Sequence, residues 1–416
     1  MNTLVIGNGF DLAHKLPTQY KDFMYFFQFC EAILKLKNRN IKLHIVIKNN
    51  RKIWKELKRT LKEYICQVYK DNGNIIYIVP PFIVKYYDDG NRNCWYKYFK
   101  AILNHNDRLE KMFISINGDN WVDFEKEIAR VIKKIESAKN AEEMPYVENP
   151  RKPLDLNNYI KHNGVVKGTE LYYFITRSDG ERYLHMNDFI KHLRKELDVF
   201  INYIDSYIMF IKDMKIVERL DDFEENGKPI TFHRVISFNY SDTFERIYEK
   251  LIDHYYNTNH RKEIVEYAHG KAGEKHERYI SNLVLGCEET LSNTVASKDT
   301  RCAYFKKYMQ RDIKNTATKY SGFYNEGDCN LIYEEDENGQ KYQTKTAYFF
   351  GHSLDVNDGD IIKFVIDNND NIVIFYYDYD DCIAKINNLI TILTKEEYLK
   401  NRSKFEYRPQ KKKDIN

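Results

Sequence analysis

Short apolar runs that end in a glycine-rich or polar turn recur along the chain, and segments of helical periodicity separate them. The first run covers residues 4–6 and ends in Gly7-Asn8-Gly9. Further runs cover residues 235–238, 264–267, 282–286, 347–350 and 372–377. Continuous apolar runs of this length are typical of strands buried on both faces of a parallel sheet. The pattern therefore predicts an α/β fold with a parallel sheet flanked by helices.

Several segments repeat apolar residues every three or four positions, as a helix with one buried face does. Thr18 is predicted as the N-cap of the first such helix. The longest apolar stripe covers residues 189–211. A further stripe, over residues 121–135, carries Glu125 beside its apolar face, where a carboxylate ordinarily lies at the solvent boundary. We interpret these stripes as core-forming helices.

The remaining segments are interpreted as additions to a nucleotide-binding core. They hold a Lys-rich helical piece, proline-containing polar stretches and two hairpin turns, Ser178-Asp179-Gly180 and Asn338-Gly339. The predicted organisation is a discontinuous core of residues 1–34, 109–140, 186–300 and 345–395, with long, mostly helical insertions at 35–108, 141–185 (irregular, with a hairpin) and 301–344 (with a hairpin), and a basic tail at 396–416.

The composition is typical of a folded protein and gives no indication of a strongly charged binding partner. The 416 residues are 43% hydrophobic, and 65 basic against 62 acidic side chains leave a net charge of only +3. This balance gives no strong signal for nucleic-acid or membrane binding. Basic residues near the end of the chain, such as Arg408 and Lys411, are interpreted as a solvated terminus. With neither a signal peptide nor a bilayer-spanning run, we expect a cytoplasmic protein.

The seven cysteines are odd in number, scattered, and contain no Cys-x-x-Cys pair. This pattern predicts neither a disulfide framework nor a zinc site built from cysteine pairs. No His-Glu-x-x-His, no Walker-type loop and no nucleophile elbow is present. The sequence therefore implies no metal, and it lacks the parts for phosphoryl transfer or serine hydrolysis.

The Gly7-Asn8-Gly9-Phe10-Asp11 turn is the strongest local indication of a ligand. A strand that turns through Gly-x-Gly into a helix is typical of nucleotide-binding sheets, because glycine allows a tight turn and close approach of a ligand. Asp11 would repel a phosphate, so a ribose hydroxyl, a base or a water suits it better. Gly-x-Gly also occurs in ordinary turns, and a plain helix-start carboxylate is the simpler interpretation of Asp11.

Polar clusters follow four of the predicted strands: Gly7-Asn8-Gly9, Asn239-Tyr240, His269-Gly270 and Gly351-His352-Ser353. Ligands bind outside the carboxyl ends of parallel strands, so these segments are predicted to meet at one cleft. Taken singly, Asn239 and His269 could be turn residues, and Asp355 and Asp358 could cap a helix beginning near Asp360.

Asn and His together suggest hydrolysis at a nucleotide ribose. A carboxamide can hold a water or a ribose hydroxyl, and a histidine near neutrality can take a proton. Cleavage of a glycosidic bond needs mainly positioning and stabilisation of an oxocarbenium-like state, by analogy with sugar hydrolysis.

The chain resembles the AbiH family of bacterial phage abortive-infection proteins. The resemblance rests on the opening motif at residues 4–13 and on Gly351-His352-Ser353-Leu354-Asp355, together with Trp121-Val122-Asp123-Phe124-Glu125, Ser237-Phe238-Asn239-Tyr240-Ser241 and His269-Gly270. These motifs are islands across the whole chain. The resemblance implies a role in phage defence.

The AbiH family is more remotely similar to sirtuin-like proteins, which implies a Rossmann-like domain that binds NAD or a related nucleotide. By motif match, the NAD-cleaving roles of the sirtuin-like defence proteins would fall on Asn239 and His269. Nucleotide binding would fall on two groups, Gly7, Asn8, Gly9, Phe10 and Asp11 in the first turn and Gly351, Ser353, Asp355 and Asp358 near the end. The zinc module of sirtuin deacylases is absent, which argues against deacylation.

Three hypotheses follow. The first is a hydrolase of the NAD(+) glycohydrolase type that kills or starves an infected cell. The second is a nucleotide-binding sensor without turnover whose insertions recognise a phage-derived trigger. The third is an interaction module in which the Rossmann-like core is only a scaffold. Each involves a small nucleotide ligand or a phage component, none involves a membrane, and homo-oligomerisation is left open.

Overall fold

The computed structural model describes residues 1–36, 40–90, 93–105, 124–140, 186–214, 220–225, 227–248, 251, 265–277, 280–287, 300–318, 320–321, 334–335, 341–342 and 344–411. The chain divides into two units. The first comprises Met1–Thr18, Ile208–His276 and Arg311–Asn416, and the second comprises Gln19–Tyr207 and Glu277–Gln310. Residues 19–34, which the sequence analysis assigned to the core, thus belong to the second unit.

The described helices are, in chain order, α1 Asn8–Ala13, α2 Tyr20–Leu34, α3 Leu43–Asn49, α4 Arg51–Glu56, α5 Arg59–Asn72, α6 Pro81–Gly90, α7 Cys94–His105, α8 Phe124–Asn140, α9 Met186–Ile211, α10 Thr243–Tyr248, α11 Lys307–Lys314, α12 Gly359–Asp367, α13 Tyr379–Leu393 and α14 Lys395–Lys400. Short 3₁₀ helices cover Ile75–Ile78, Asp221–Phe223, Thr300–Phe305, Val356–Asp358 and Arg402–Lys404.

A six-stranded parallel sheet forms the centre of the first unit. Its strands are β1 Asn2–Ile6, β2 Arg234–Ser237, β3 Val265–Tyr267, β4 Thr346–Phe350, β5 Asn371–Tyr376 and β6 Phe405–Pro409. They lie in the order β3-β2-β1-β4-β5-β6, and every neighbouring pair is parallel. The chain therefore builds outward from β1 in both directions, and the strand order reverses between β1 and β4. Such a reversal opens a crevice at the carboxyl ends of the strands.

Both faces of the sheet are buried, which explains the continuous apolar runs. Alternate residues of a strand point to opposite faces. On one face Leu4 and Ile6 join a cluster with Phe10 of α1 and Phe244 of α10. On the other face Val5 packs in a cluster to which α12 and α13 contribute buried aliphatic residues. Consecutive apolar side chains of a strand therefore pack into one or the other of these two core clusters. The protein is α/β with a helix-flanked parallel sheet, as predicted.

Aromatic residues hold the helices of the second unit together. The Phe99 ring of α7 stacks on Phe124 of α8 with centroids 4.2 Å apart. Phe200 of α9 packs edge-on against both Phe124, at 5.1 Å, and Phe23 of α2, at 5.8 Å. The stripes expected to form core do so, because the 3.6-residue period places their rings on one face of each helix.

Helix ends differ from the expected positions. α2 begins at Tyr20 with Gln19 as its N-cap, and the carboxylate of Asp22 accepts the Gln19 N–H at 3.2 Å. The Thr18 hydroxyl instead donates to Asn8 Oδ1 at 2.6 Å, so its assignment as N-cap is wrong. The Lys-rich helical piece is two helices, α4 and α5, separated at residues 57–58.

Residues 282–286 form no strand, contrary to the prediction. Leu285 makes both of its backbone hydrogen bonds with the side chain of Gln310: its N–H donates to Oε1 at 3.0 Å, and Nε2 donates to its C=O at 2.8 Å. A glutamine amide thus supplies the donor and acceptor that a neighbouring strand would otherwise provide. The apolar run alone could not distinguish this arrangement from a sheet strand.

The interpretation of the C-terminal basic residues as a solvated end is wrong for Arg408, which lies in strand β6. β6 pairs with β5 over five positions, from Phe405 opposite Ile372 to Pro409 opposite Tyr376. Arg408 forms ion pairs with Glu225 and Glu406. The basic residue therefore stabilises an edge strand, where charged side chains are common.

Short two-stranded sheets complete the described strands. Lys275–Glu277 and Ile280–Ser281 form one of them. The antiparallel ribbons join Glu224–Glu225 to Lys228–Pro229, and Glu334–Glu335 to Lys341–Tyr342. The last pair flanks the predicted Asn338-Gly339 turn. The other predicted hairpin, at Ser178-Asp179-Gly180, lies outside the described residues, as do the first three residues of the Trp121-Val122-Asp123-Phe124-Glu125 motif. Among the helices of the described part, none combines the length and apolarity needed to cross a bilayer.

Candidate functional site

The turn after β1 is packed against the turn after β4. The N–H of Gly7 donates to the C=O of Phe350 at 3.1 Å, and the N–H of Gly9 donates to the C=O of Gly351 at 2.7 Å. A Cβ atom at Gly7 would lie 2.7 Å from His352 Cα, and one at Gly9 would lie 2.7 Å from Gly351 Cα. The two glycines are therefore needed for close approach of the protein's own backbone, whereas the sequence suggested a ligand there.

This packing changes what α1 can offer to a ligand. Besides the Gly9 amide, the Phe10 N–H is also engaged, since it donates to Gly7 O at 2.8 Å. The Phe10 side chain is fully buried among aromatic rings, including Tyr248 at 5.5 Å and Phe350 at 6.0 Å. α1 is only six residues long. Phe10 thus belongs to the core, and the amides of Gly9 and Phe10 at this helix start are occupied by internal hydrogen bonds.

Asp11 joins the turn after β1 to the turn after β2. It is 2% exposed, and its Oδ2 accepts the Ser241 hydroxyl at 2.6 Å. Ser241 Oγ lies 2.9 Å from Thr243 Oγ1. Burial raises the pKa of Asp11 to about 6, although the Ser241 and Thr243 hydroxyls act in the opposite direction. The second carboxylate oxygen, Oδ1, has no hydrogen-bond partner among the described residues.

Asn239 carries an unpartnered carboxamide at the end of β2. The residue is 4% exposed, and neither Oδ1 nor Nδ2 has a hydrogen-bond partner in the described part of the chain. Its backbone, by contrast, is held, because its N–H donates to Ser237 Oγ at 3.2 Å. Leaving a buried polar group unsatisfied costs about 1–3 kcal/mol. The side chain therefore has polar atoms that the described part of the chain leaves without a partner.

His269 at the end of β3 pairs with a carboxylate from a distant segment. Its Nε2 lies 3.0 Å from Asp358 Oδ1, and both side chains are buried. His352 approaches the other oxygen of the same carboxylate, with its Nε2 3.7 Å from Asp358 Oδ2. The backbone N–H of Leu354 donates to His352 Nδ1 at 2.9 Å. Because Nδ1 accepts, the proton of neutral His352 lies on Nε2 and faces Asp358.

Phe238 forms an apolar wall between the two histidines. Its ring centroid lies 5.3 Å from that of His269 and 4.3 Å from that of His352. The Tyr240 ring lies 6.5 Å from the His269 ring. Asn239 stands between Phe238 and Tyr240 in the chain and follows β2, the strand that neighbours β3, at whose end His269 lies. Low polarity on one side strengthens the attraction between an imidazolium and the carboxylate.

The polar residues of the segment from Gly351 to Asp358 have different contacts. Ser353 is exposed, and its C=O accepts the side-chain N–H of Asn388 at 3.0 Å. Asp355 caps the 3₁₀ helix by accepting the Asn357 N–H at 3.0 Å. Asp358 makes no side-chain cap to α12, and its carboxylate faces His269 instead. The capping interpretation therefore holds for Asp355, at the 3₁₀ helix that precedes α12.

The carboxyl ends of four adjacent strands, β4, β1, β2 and β3, thus bring Asp358, Asp11, Asn239 and His269 to one edge of the sheet. His352 and Ser241 complete the cluster, and both lie inside motifs that the sequence analysis quoted without assigning them a role. The one feature of the sequence that could have identified these two residues is their position shortly after the end of a strand. Chemically, the cluster offers a histidine with a carboxylate partner, a carboxamide and a buried carboxyl group.

Glu125, whose role the sequence left open, lies in the second unit. Its Oε2 is 2.8 Å from Lys307 Nζ, and the lysine side chain is only 2% exposed. The glutamate side chain is 15% exposed. Glu125 is therefore partly exposed, as expected of a residue at the solvent boundary, and it also pairs with a buried cation.

A family model described as "Bacteriophage abortive infection AbiH" matches residues 3–379 of the chain. The same chain matches no curated protein and no solved structure. The matched region includes every residue of the strand-end cluster.

Proposed function

Because the chain belongs to the AbiH family of bacteriophage abortive-infection proteins, we propose that it acts in phage defence by hydrolysing the N-glycosidic bond of NAD or a related nucleotide. The proposed active site is the cluster of polar side chains at the carboxyl ends of strands β1 to β4. The family match suggests the abortive-infection role, and the chemistry is inferred from the cluster.

The observation that carries this proposal is the buried carboxamide of Asn239, which has no partner among the described residues. Asn239 follows β2, and the neighbouring strand β3 ends at His269, which pairs with Asp358. Nearly all buried polar groups in proteins are hydrogen-bonded, so one without a partner at a strand end favours a ligand there. The strand order β3-β2-β1-β4-β5-β6 supports a Rossmann-like assignment, since this order is typical of dinucleotide-binding sheets. The resemblance to sirtuin-like NAD-cleaving proteins points to the same substrate.

Hydrolysis would break the bond between ribose C1′ and the nicotinamide nitrogen. The bonding electron pair leaves with nicotinamide, whose ring becomes neutral, and a water oxygen bonds to C1′ while losing one proton. Asn239 orients the water or a ribose hydroxyl. His269 takes the proton, and the Asp358 carboxylate stabilises the resulting imidazolium. The products are nicotinamide, ADP-ribose and a proton.

The occupied amides of α1 limit how the nucleotide is held. Gly9 and Phe10 direct their N–H groups to internal carbonyls, so the diphosphate is not bound by this helix start. Asp11 presents an unpartnered carboxyl oxygen, which suits a ribose hydroxyl as donor. Nucleotide recognition by this site therefore depends on the sugar more than on the phosphates.

The test is nicotinamide release from NAD by the purified protein, followed by chromatography. We expect His269→Ala to lower the rate by a factor of about 10² or more, the usual contribution of a general base. Asn239→Ala should also abolish turnover. Asp358→Asn removes the carboxylate that would stabilise the imidazolium of His269, so it should also lower the rate of nicotinamide release. His44→Ala, at an exposed histidine of α3, is the matched control.

Release that survives His269→Ala and Asn239→Ala unchanged would contradict the assignment. The unpartnered carboxamide of Asn239 also fits a second candidate, a sensor that binds a nucleotide without turnover and recognises a phage component. That candidate predicts saturable NAD binding by calorimetry, lost in Asn239→Ala, with no nicotinamide release in the presence or absence of infected-cell extract. If NAD neither binds nor is cleaved and the variants retain phage resistance, the scaffold hypothesis stands.

A further inference from the structure

Helices α7 and α9 of the second unit bring three metal-ligating side chains to one point. Cys94 is the first residue of α7, and His192 and Glu196 lie on α9. The thiol sulfur, an imidazole nitrogen and a carboxylate oxygen all lie within 4.8 Å of one another. Cys94 is buried, and the other two residues are half-buried.

We propose that Cys94, His192 and Glu196 form a binding site for a divalent transition metal of the Zn²⁺ class. Zinc accepts a mixed set of sulfur, nitrogen and oxygen ligands in tetrahedral geometry. A histidine and a glutamate four residues apart lie on the same face of a helix, as helical metal sites require. Three protein ligands leave the fourth position to water or to another small ligand.

The charges of the ligand set match a divalent ion. A bound thiolate and a carboxylate contribute two negative charges, and a neutral imidazole adds none. A divalent cation therefore makes the site neutral overall, which favours its burial. Hard cations such as Mg²⁺ or Ca²⁺ prefer oxygen ligands and are disfavoured by the sulfur and nitrogen donors.

The backbone around the site is held by contacts between the two helices. The N–H of Cys94 donates to Glu196 Oε2 at 3.0 Å, and the Asn93 side chain donates to the Glu196 C=O at 2.8 Å. The indole N–H of Trp95 donates to the C=O of Leu193 at 3.0 Å. These bonds orient the ligands before a metal arrives, which is the usual task of the groups around a metal site.

Two simpler interpretations account for only part of this arrangement. Glu196 could serve just to accept the first N–H of α7, but that role does not bring His192 and the Cys94 sulfur to the same point. Cys94 could be a reactive nucleophile, but burial and the Glu196 carboxylate raise the pKa of its thiol well above the ordinary value. A protonated, buried thiol is a poor nucleophile.

The test is a titration of the chelator-treated full-length protein with Co²⁺, which reports its own ligands spectroscopically. We expect one Co²⁺ per chain, with a thiolate-to-cobalt charge-transfer band and visible absorption of tetrahedral intensity, and we expect Zn²⁺ to displace it. Cys94→Ser should remove the charge-transfer band. Cys302→Ser, at another buried cysteine of the same unit, and Cys66→Ser, at an exposed one, should retain it.

Two further variants separate ligation from folding. His192→Ala and Glu196→Gln should weaken Co²⁺ binding at least about tenfold, since even second-sphere changes cost 10- to 100-fold. Glu196→Gln keeps an oxygen that can accept the Cys94 N–H, so circular dichroism should show an unchanged helix content. Absence of the charge-transfer band in the wild type, or its persistence in Cys94→Ser, would overturn the proposal. The readout is independent of NAD cleavage, so either proposal can fail alone.

Discussion

Gly351→Ala should destabilise the first unit by more than any ordinary surface substitution. Gly351 has φ +64°, a left-handed conformation that side chains rarely adopt. A Cβ atom there would also lie 2.2 Å from Phe10 N and 2.5 Å from Gly9 C. Both neighbours are backbone atoms of the turn after β1, so neither can rotate away. The substitution therefore combines a conformational cost with a steric one.

The magnitude follows from these two costs. A left-handed residue other than glycine costs about 1–2 kcal/mol. Forcing an extra carbon into packed surroundings typically costs a further ~1–3 kcal/mol. We therefore expect a total loss of about 2–5 kcal/mol, a large fraction of the ~5–15 kcal/mol that stabilises a typical protein.

Gly227→Ala is the matched control, because Gly227 lies in the same unit and has φ +74° but no atom within 4 Å of the added Cβ position. It should show the conformational cost alone, about 1–2 kcal/mol. The assay is urea denaturation followed by far-ultraviolet circular dichroism. The midpoints are compared between variants whose free energy of unfolding has the same dependence on urea concentration. Equal losses for the two variants would refute the packing of the β4 turn on the β1 turn.

Two further predictions concern buried charges. Burial raises the pKa of Asp11 from 3.8 to about 6, so the folded state holds a proton that the unfolded chain releases, and stability falls as pH rises from about 4 to about 6. Asp11→Asn should remove this pH dependence. The free energy of unfolding of the variant, relative to that of the wild type, should therefore rise across this pH window by up to roughly 3 kcal/mol. A difference that stays constant across the window would contradict the burial of an ionisable Asp11. Lys307→Met should cost about 3–5 kcal/mol by leaving the partly buried Glu125 without its cation, and Glu125→Gln with Lys307→Met should recover most of that loss in the same denaturation assay. A double variant no more stable than the single one would show that the ion pair is not what the lysine contributes.

The amino-acid sequence by itself determined the class of the fold and its main elements. Five of the six sheet strands are visible as apolar runs because a strand buried on both faces needs apolar residues at consecutive positions. The helix over Met186–Ile211 is visible because its stripe persists for seven turns. The strand-end residues Asn239 and His269 were also found, since parallel strands must present their carboxyl ends at one edge.

Features that depend on a partner far along the chain could not be found this way. Residues 282–286 have the composition of a strand, yet Gln310 satisfies their backbone. β6 has too few apolar residues to be recognised as a strand, and its pairing with β5 decides its conformation. Local periodicity carries no information about which segment supplies a hydrogen-bond partner.

The roles of individual side chains were decided by the tertiary structure. Gly9 is a glycine because Gly351 lies against it, and Asp358 faces His269, 89 residues away in the chain, although its own position suggests a helix cap. Cys94 and His192 meet only because α7 packs on α9. The energy of such contacts depends on distances between residues remote in sequence, and only the folded chain sets those distances.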